Sequence, residues 1–569
     1  MSLVTRTVLL LVLLLVVALP FAPALGGGFI WDDVNLIQLD PGIRDLHQLK
    51  RSFTRGFLES PASPGAVVAH AYYRPLVTLS FMLDHQLHGL SPRGFHLTNL
   101  LLHLLAVAVF FRISIVLLGP SRPVWAVAAT LIFALHPSRA ESVCWISGRT
   151  ELLYSLFWAG ALGAFVAALR TPTGVLRSAL QGGSSAPRAA RIANRVVWLL
   201  AAWTAYVAAV LSKESAVSVA LVVPVADWLL LRRRGSWLWC HAPLLLATAV
   251  FVMLRLLLPQ DPWWWDPPQL GQRLVTVLQT VGHHALLVVN PLAPSMQVGA
   301  YATTFDWTLV AVGGGTLLAG VGGVYLALRR GQRMVAVLLL AVACTLAPVS
   351  NLVPLRLSVL AAERFLYLPM AGVALVVGFG LRRWSGDGWR GSVALGLVAV
   401  AVSAWAVTIH RRAQDFHDPL RFWSRELQRS PNNPLVEAKL GELLLRVDPD
   451  AVLADQLLLR SYRHYQALGP ARTTPAQIAT LLLFVDSRLR RPTMRDPSGM
   501  ATRQAGLFVR RLLDLSFGRR PARVVLRFDD GVFVEVEGRA RRVRDALAHS
   551  RPLLREMVQR LDPAAGQRE

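Results

Sequence analysis

The chain has almost no cysteine, almost no lysine and little charge of any kind. Cys144, Cys240 and Cys344 are its three cysteines in 569 residues, and all lie in or beside apolar runs. No disulfide framework, CxxC pair or thiol metal site can be built from them. Lysine occurs only as Lys50, Lys213 and Lys439, while arginine is abundant. Charged residues amount to 16% against 54% hydrophobic, and the mean hydropathy is +0.45. That balance excludes a string of soluble domains and points to a polytopic membrane protein. A formal net charge of +25 would suggest nucleic acid in a soluble chain. Here the arginines gather at the ends of apolar runs, where orientation in a bilayer accounts for them, so no nucleic-acid partner is expected.

What is present in quantity is apolar sequence. A span needs roughly 20 apolar residues, and loops rich in Arg stay on the cytoplasmic side. Those two rules predict spans near 7–26, 97–118, 123–138, 143–169, 196–212, 214–232, 237–258, 307–328, 333–349, 365–381 and 391–410, eleven in all. "RRRG" at 232–235, "RRGQR" at 329–333 and "RRWSGDGWR" at 382–390 then fall on one side, with "WDD", "HPSRAES", "SKES", "DPWWWDPP" and "SNLVPLRLSVLAAER" on the other. A span at 273–293 would break this alternation, so that segment is read as a re-entrant or interfacial helix. The first run is also compatible with a signal peptide, although the later spans favour an anchor. Residues 1–410 are read as the membrane domain, with a long first external loop at 27–95. After residue 410 the composition turns charged and soluble. Residues 411–445 read as a short helical segment and 446–569 as a small basic α+β domain, whose "VVLRFDDGVFVEVE" suits a hairpin.

Polar residues on the outer side carry the chemistry. Asp32 and Asp33 in "GGGFIWDDVNLI" stand within a turn or two of the lipid surface, a poor place for idle charge. Lys213 and Glu214, between two apolar runs, face a partner or a cavity, or pair with each other. "HPSRAESVCWISGRTELL" packs His136, Glu141 and Arg149 around the mouth of two spans, and Arg74 in "YYRPL" and Arg364 next to Glu363 in "AAERFLYLP" share that side. Guanidinium forks suit phosphate oxygens. A carboxylate pair opposite Arg74, Arg149, Lys213 and Arg364 suggests a transferase with a lipid-linked phosphate donor. An aspartate would take the acceptor proton, and the cations would stabilise the leaving phosphate. Adjacent carboxylates diverge and no spaced ligand set accompanies them, so no metal site is predicted; the need for a divalent ion is left open.

In order along the chain, "FIWDD", "YYRPLVTLSFMLDHQLHGLSPRGFHLTNLLLHLL", "FALHPSRAESVCWISGRTELL", "LSKESA" and "APVSNLVPLRLSVLAAERFLYLPMAGVAL" resemble the membrane part of the transmembrane and tetratricopeptide-repeat-containing O-mannosyltransferases and their bacterial relatives. The resemblance covers about residues 29–445. It implies a GT-C glycosyltransferase fold, about eleven transmembrane helices and a polyprenyl-phosphate sugar donor. The resemblance leaves the sugar open, with mannose one candidate. Asp32 or Asp33 would be the catalytic carboxylate, Asp32 being favoured, with Arg149, Lys213 and Arg364 near the donor phosphate. The acceptor would be an extracytoplasmic protein, lipid or glycan. The location implied is a bacterial inner membrane, with the site and the tail outside. One departure stands out: only "DPLRFWSRELQRSPNNPLVEAKLGELLLR" looks like the start of a repeat array, and a solenoid needs at least three stacked repeats. A transporter or flippase for lipid-linked saccharides and a non-catalytic assembly protein are the alternatives.

Overall fold

The computed structural model describes residues 3–54, 56–57, 72–119, 123–170, 188–231, 237–257, 270–292, 306–352, 361–385, 388–448, 451–467 and 480, and two strands, 522–527 and 533–538. The described part is overwhelmingly helical. Each of the eleven apolar segments predicted from sequence coincides with helix. Among the described residues five helical segments are long and apolar enough to cross a membrane: Thr5–Gly26, Pro92–Leu118, Ile146–Ala168, Trp307–Arg329 and Trp389–Asp415. Shorter apolar helices, among them Pro123–Leu135 and Arg333–Val349, pack between them.

Exposure distinguishes the lipid-facing surface. Leu11, Leu15 and Leu19 of the first helix are each 60% exposed or more, and so are Leu397 and Val400 of the last long one. In water such stripes would drive association, whereas in a bilayer they face acyl chains while the helical backbone satisfies its own hydrogen bonds. The opposite faces join one core. Phe21, Phe110, Phe133, Trp145, Tyr367 and Ile409 belong to it. A second core pairs helix Arg149–Arg170 with helix Arg188–Val210 through Tyr154, Phe165, Ala202 and Tyr206.

Helix Leu270–Val289, expected to be re-entrant or interfacial, is one unbroken 20-residue helix. Its C-terminal half touches outer-loop residues. Asn351 donates to the Thr280 hydroxyl at 3.1 Å, and the His136 Nε2 lies 3.4 Å from the Val288 carbonyl.

Three helices follow the membrane part, Pro419–Arg429, Pro434–Val447 and Val452–Ala467, called here the first, second and third tail helices. Their starts are written in the sequence. Asp418 accepts from the Arg421 amide at 2.8 Å, and Asn433 accepts from the Leu435 and Val436 amides, each cap being followed by a proline at the first helical position. The second and third pair closely at Gly441, where a Cβ would lie 2.8 Å from Leu458 Cγ. Glu437, fully buried, binds Arg460 at 2.5 Å and His464 at 2.8 Å across the pair. The helical segment thus runs past residue 445 to Ala467. Further on, Ala522–Arg527 and Phe533–Gly538 pair antiparallel, Val524 opposite Val536. The Asp-Gly turn predicted between them and the rest of 468–569, Thr480 apart, lie outside the described residues.

Candidate active site

The end of the bundle that carries the acidic loop is built on a small apolar cluster of its own. Phe29, Ile37, Ile43, Phe81, Met82 and Phe95 pack there with Ile146. Helix Pro75–His88 supplies Phe81 and Met82. The loop's two aspartates sit on this base in different surroundings.

Asp33 is 1% exposed and fully engaged. It accepts from the Ile30 amide at 3.1 Å, from the Ser147 amide at 2.9 Å and from the Ser147 hydroxyl. Burial still pushes its carboxyl up to about 7, against the pull of those hydrogen bonds. Asp32 is half-buried, and its carboxylate makes no hydrogen bond or ion pair with the described residues. Burial raises it to about 6, opposed by the charges of Arg364, Lys439 and Arg74, in that order.

The preceding residue explains how neighbours come to differ so much. Trp31 has φ +55°, one of two non-glycine residues in the left-handed region among those described. Its ring stacks on Trp145 at 5.2 Å and meets the edge of Trp423, from the first tail helix, at 5.9 Å. The Arg364 guanidinium lies over the far partner, 5.4 Å from the Trp145 ring.

The cations predicted from sequence separate into two groups. Arg364 ion-pairs with Glu141, whose other oxygen accepts from the Arg364 amide at 2.8 Å, and it stands over Phe365 at 5.0 Å. Lys213 lies 5.1 Å from the same Phe365 ring and pairs with Glu151. Burial lowers its pKa. Glu214, the neighbour expected as an alternative partner for Lys213, instead holds Arg74 at 3.1 Å and accepts from the Tyr73 amide at 3.2 Å. Arg74 is also clasped over Tyr72 at 4.4 Å. Arg74 and Arg364 keep partly exposed side chains, 14% each.

Arg149 does not share the partial exposure of Arg74 and Arg364. It is 0% exposed, and its nitrogens go to Asp84 at 2.5 Å, Asn99 at 2.8 Å, the Phe95 carbonyl at 2.9 Å and Ser80 at 3.2 Å. No nitrogen is left for a phosphate, so the expectation from sequence does not describe its place in this structure. It ties helices Pro75–His88 and Pro92–Leu118 to the turn that holds Asp33. His136 is likewise buried, 2.8 Å from Ser138 Oγ, and packs its ring on Trp405 at 5.1 Å. Glu363 is fully buried beside Arg412 at 3.6 Å, and burial pushes it up to about 8. Arg412 in turn binds Glu426 of the first tail helix at 2.7 Å.

Sequence reasoning missed Asp84, Glu151, Ser147 and the three tryptophans. Glu151 stood two residues after Arg149 in a motif already singled out, and helical spacing could have aimed it at Lys213. Lys439, one of three lysines, gave a signal by rarity alone.

Beneath this end lies an apolar cavity of about 530 Å³, lined by Phe110, Phe133, Trp158, Phe165, Leu338 and Tyr367. Its wall includes Leu368 and Pro369, a few residues beyond Arg364; Asp32 and Asp33 do not line it.

No family model matches the chain. Segments of it are similar to curated proteins: 33% identical over 158 residues to a protein O-mannosyl-transferase of Caenorhabditis elegans, covering 27% of this chain and 22% of that one. Protein O-mannosyl-transferase TMTC3 of Homo sapiens is 31% identical over 194 residues, 34% of this chain and 18% of the relative. Tmtc2 of Drosophila melanogaster is 34% identical over 207 residues, 36% and 20%. The matched part is about a fifth of the length of these relatives. A solved structure of ArnT from Cupriavidus metallidurans bound to undecaprenyl phosphate aligns over 90% of this chain and 81% of its own, at 13% identity and a TM-score of 0.37. Similarity that low supports no fold assignment. In these matched segments the chain is similar to protein O-mannosyl-transferases.

Proposed function

We propose that the chain is a membrane glycosyltransferase of GT-C type, moving a sugar, mannose in the first instance, from a polyprenyl-phosphate carrier to an extracytoplasmic acceptor. The observation that carries this reading is Asp32: a half-buried carboxylate without a hydrogen-bond partner among the described residues, in the field of three cations. A structural acid is normally satisfied, as Asp33 is; an acid left open beside cations is placed for a ligand.

In this reading the acceptor hydroxyl attacks the anomeric carbon of the sugar and Asp32 takes its proton. The bond from that carbon to the phosphate oxygen breaks, and the polyprenyl phosphate departs with the electron pair. A carboxyl titrating at about 6 is mostly ionised at neutral pH, yet basic enough to accept a proton. Arg364 and Arg74, tethered by Glu141 and Glu214 but partly exposed, would meet the developing phosphate charge. Lys213 stands behind Phe365 as support. The apolar cavity beside Leu368 suits the first isoprene units. The first external loop and the tail share one end of the bundle, since the Gly28 amide donates to the His417 carbonyl at 3.1 Å. Our reading puts that end outside the cytoplasm. Bound divalent metal forms no part of the proposal.

The test is purified protein in liposomes with a radiolabelled polyprenyl-phosphate mannose and mixed hydroxyl acceptors. Asp32→Asn should lower transfer by about 10²- to 10⁴-fold, the usual span for a lost general base, with unchanged insertion. Transfer by Asp32→Asn at the wild-type rate would reject the assignment. Movement of the intact lipid-linked sugar across the bilayer without transfer would favour a flippase.

A further inference from the structure

The tail meets the acidic loop more closely than a separate acceptor-binding module would. Gly27 leaves room for the main chain of the tail's first turn: a Cβ there would lie 2.8 Å from the Phe416 carbonyl oxygen. Gly26 is set against the His417 ring in the same way, at 3.1 Å. Trp423 is 1% exposed and shares a core with Ile30, Trp145 and Leu366. Val436 and Leu440 of the second tail helix enter that core and flank Lys439, whose side chain is 36% exposed. Below this contact, Arg412 joins Glu363 at 3.6 Å, Asp415 at 3.5 Å and Glu426 at 2.7 Å, all buried. The tail is therefore bonded both to the loop with Asp32 and to the loop with Arg364.

Left-handed φ in a tryptophan is costly and persists only where its surroundings hold it. Here the holders are Trp145 on one face and Trp423 on an edge. Because Asp32 is the next residue, the direction of its carboxyl follows from the Trp31 backbone.

We propose that the first two tail helices form a wall of the active centre, in which Trp423 is a positioning residue that clamps Trp31, and so Asp32. The tail then completes the site, rather than reaching from it towards a distant acceptor. This rests on the glycosyltransferase reading for its kinetic arm only. The groups that face Asp32 electrostatically are Arg364, Lys439 and Arg74, with Tyr72 and Asp33 beside it. Glu141, Glu442 and Glu214 partner the three cations.

The experiment has two readouts on the full chain in nanodiscs. Amide hydrogen exchange follows residues 28–34, with the second tail helix as the internal check on folding. Transfer of mannose from polyprenyl phosphate gives kcat and the donor KM. Trp423→Leu, which keeps bulk and loses the aromatic edge, should speed exchange at 28–34 at least tenfold and lower kcat at least tenfold at constant donor KM. Trp423→Phe should restore most of both. Unchanged exchange at 28–34 in Trp423→Leu, with the second tail helix still protected, overturns the clamp. If the wild type transfers nothing, the functional reading falls, and the exchange result alone decides whether the tail holds the loop.

Discussion

Asp32 and Asp33 are neighbours in sequence and opposites in circumstance. Around Asp33 every strong polar group is matched: three donors on the carboxylate, and Arg149 spread over Asp84, Asn99, Phe95 and Ser80. Around Asp32 the charges are tethered from behind and left partly open, Arg74 by Glu214 and Arg364 by Glu141, while the carboxylate itself has no hydrogen-bonding partner among the described residues. Fully paired buried charge is architecture, because removing one member leaves the other stranded at several kcal/mol. Incompletely paired charge at a mouth is a place for a ligand. The contrast sorts residues that share a motif, and it moves Arg149 from the ligand side to the architectural side.

The largest effect that could break this sorting is on stability. Arg149→Ala leaves Asp84 buried without its cation, and breaking such a pair costs about 3–5 kcal/mol. Thermal unfolding in nanodiscs should show the mutant much less stable or unfolded. A well-folded Arg149→Ala that had lost only affinity for polyprenyl phosphate would return Arg149 to the donor site and erase the distinction.

Next in size is the donor itself. Charge-assisted contacts are worth roughly 1.5–3 kcal/mol, so Arg364→Gln should weaken binding of polyprenyl phosphate by about one to two orders of magnitude. Glutamine still offers Glu141 a hydrogen bond, which limits the structural loss. Calorimetric titration with polyprenyl phosphate, with no sugar present, reads the affinity directly. A fall in melting temperature at constant affinity would class Arg364 with Arg149.

How much of this was legible beforehand follows from what kind of signal each residue gives. Long apolar runs announce helices without reference to anything else, and "HDPL" and "NNPL" announce helix starts because cap and proline act locally. Asp32 stood out because a charge next to a bilayer is anomalous in one dimension. Partnerships are different. Lys213 pairs with Glu151 across 62 positions, and Arg74 with Glu214 across 140, so adjacency in sequence suggested the wrong partner for Lys213. The Trp423–Trp31–Trp145 stack joins three distant segments, and nothing in any one of them marks it. The tail's role was hidden for that reason: its composition says soluble, while its contacts make it part of the site.

The smallest and sharpest test sets the two carboxyls against each other by pH. Asp33 is raised from the ordinary 3.8 to about 7, so the folded protein holds its proton more tightly than the unfolded chain does. Its contribution to stability is complete below about pH 3.8 and is lost as pH rises through 7. Asp32, raised to about 6, governs rate instead: transfer should climb through pH 6 and level off above it. Asp33→Asn should therefore flatten the fall in melting temperature between pH 4 and 7 and leave the kinetic limb near 6 in place. Glu363, raised to about 8, adds its own slope, which cancels when mutant and wild type are compared under the same conditions. Adjacent acids titrate as a pair, so the limb belongs to both in principle, and Asp32→Glu identifies the owner. If Asp32→Glu leaves the limb at pH 6 while Asp33→Asn displaces it, the aspartates have exchanged roles and the base is the buried one.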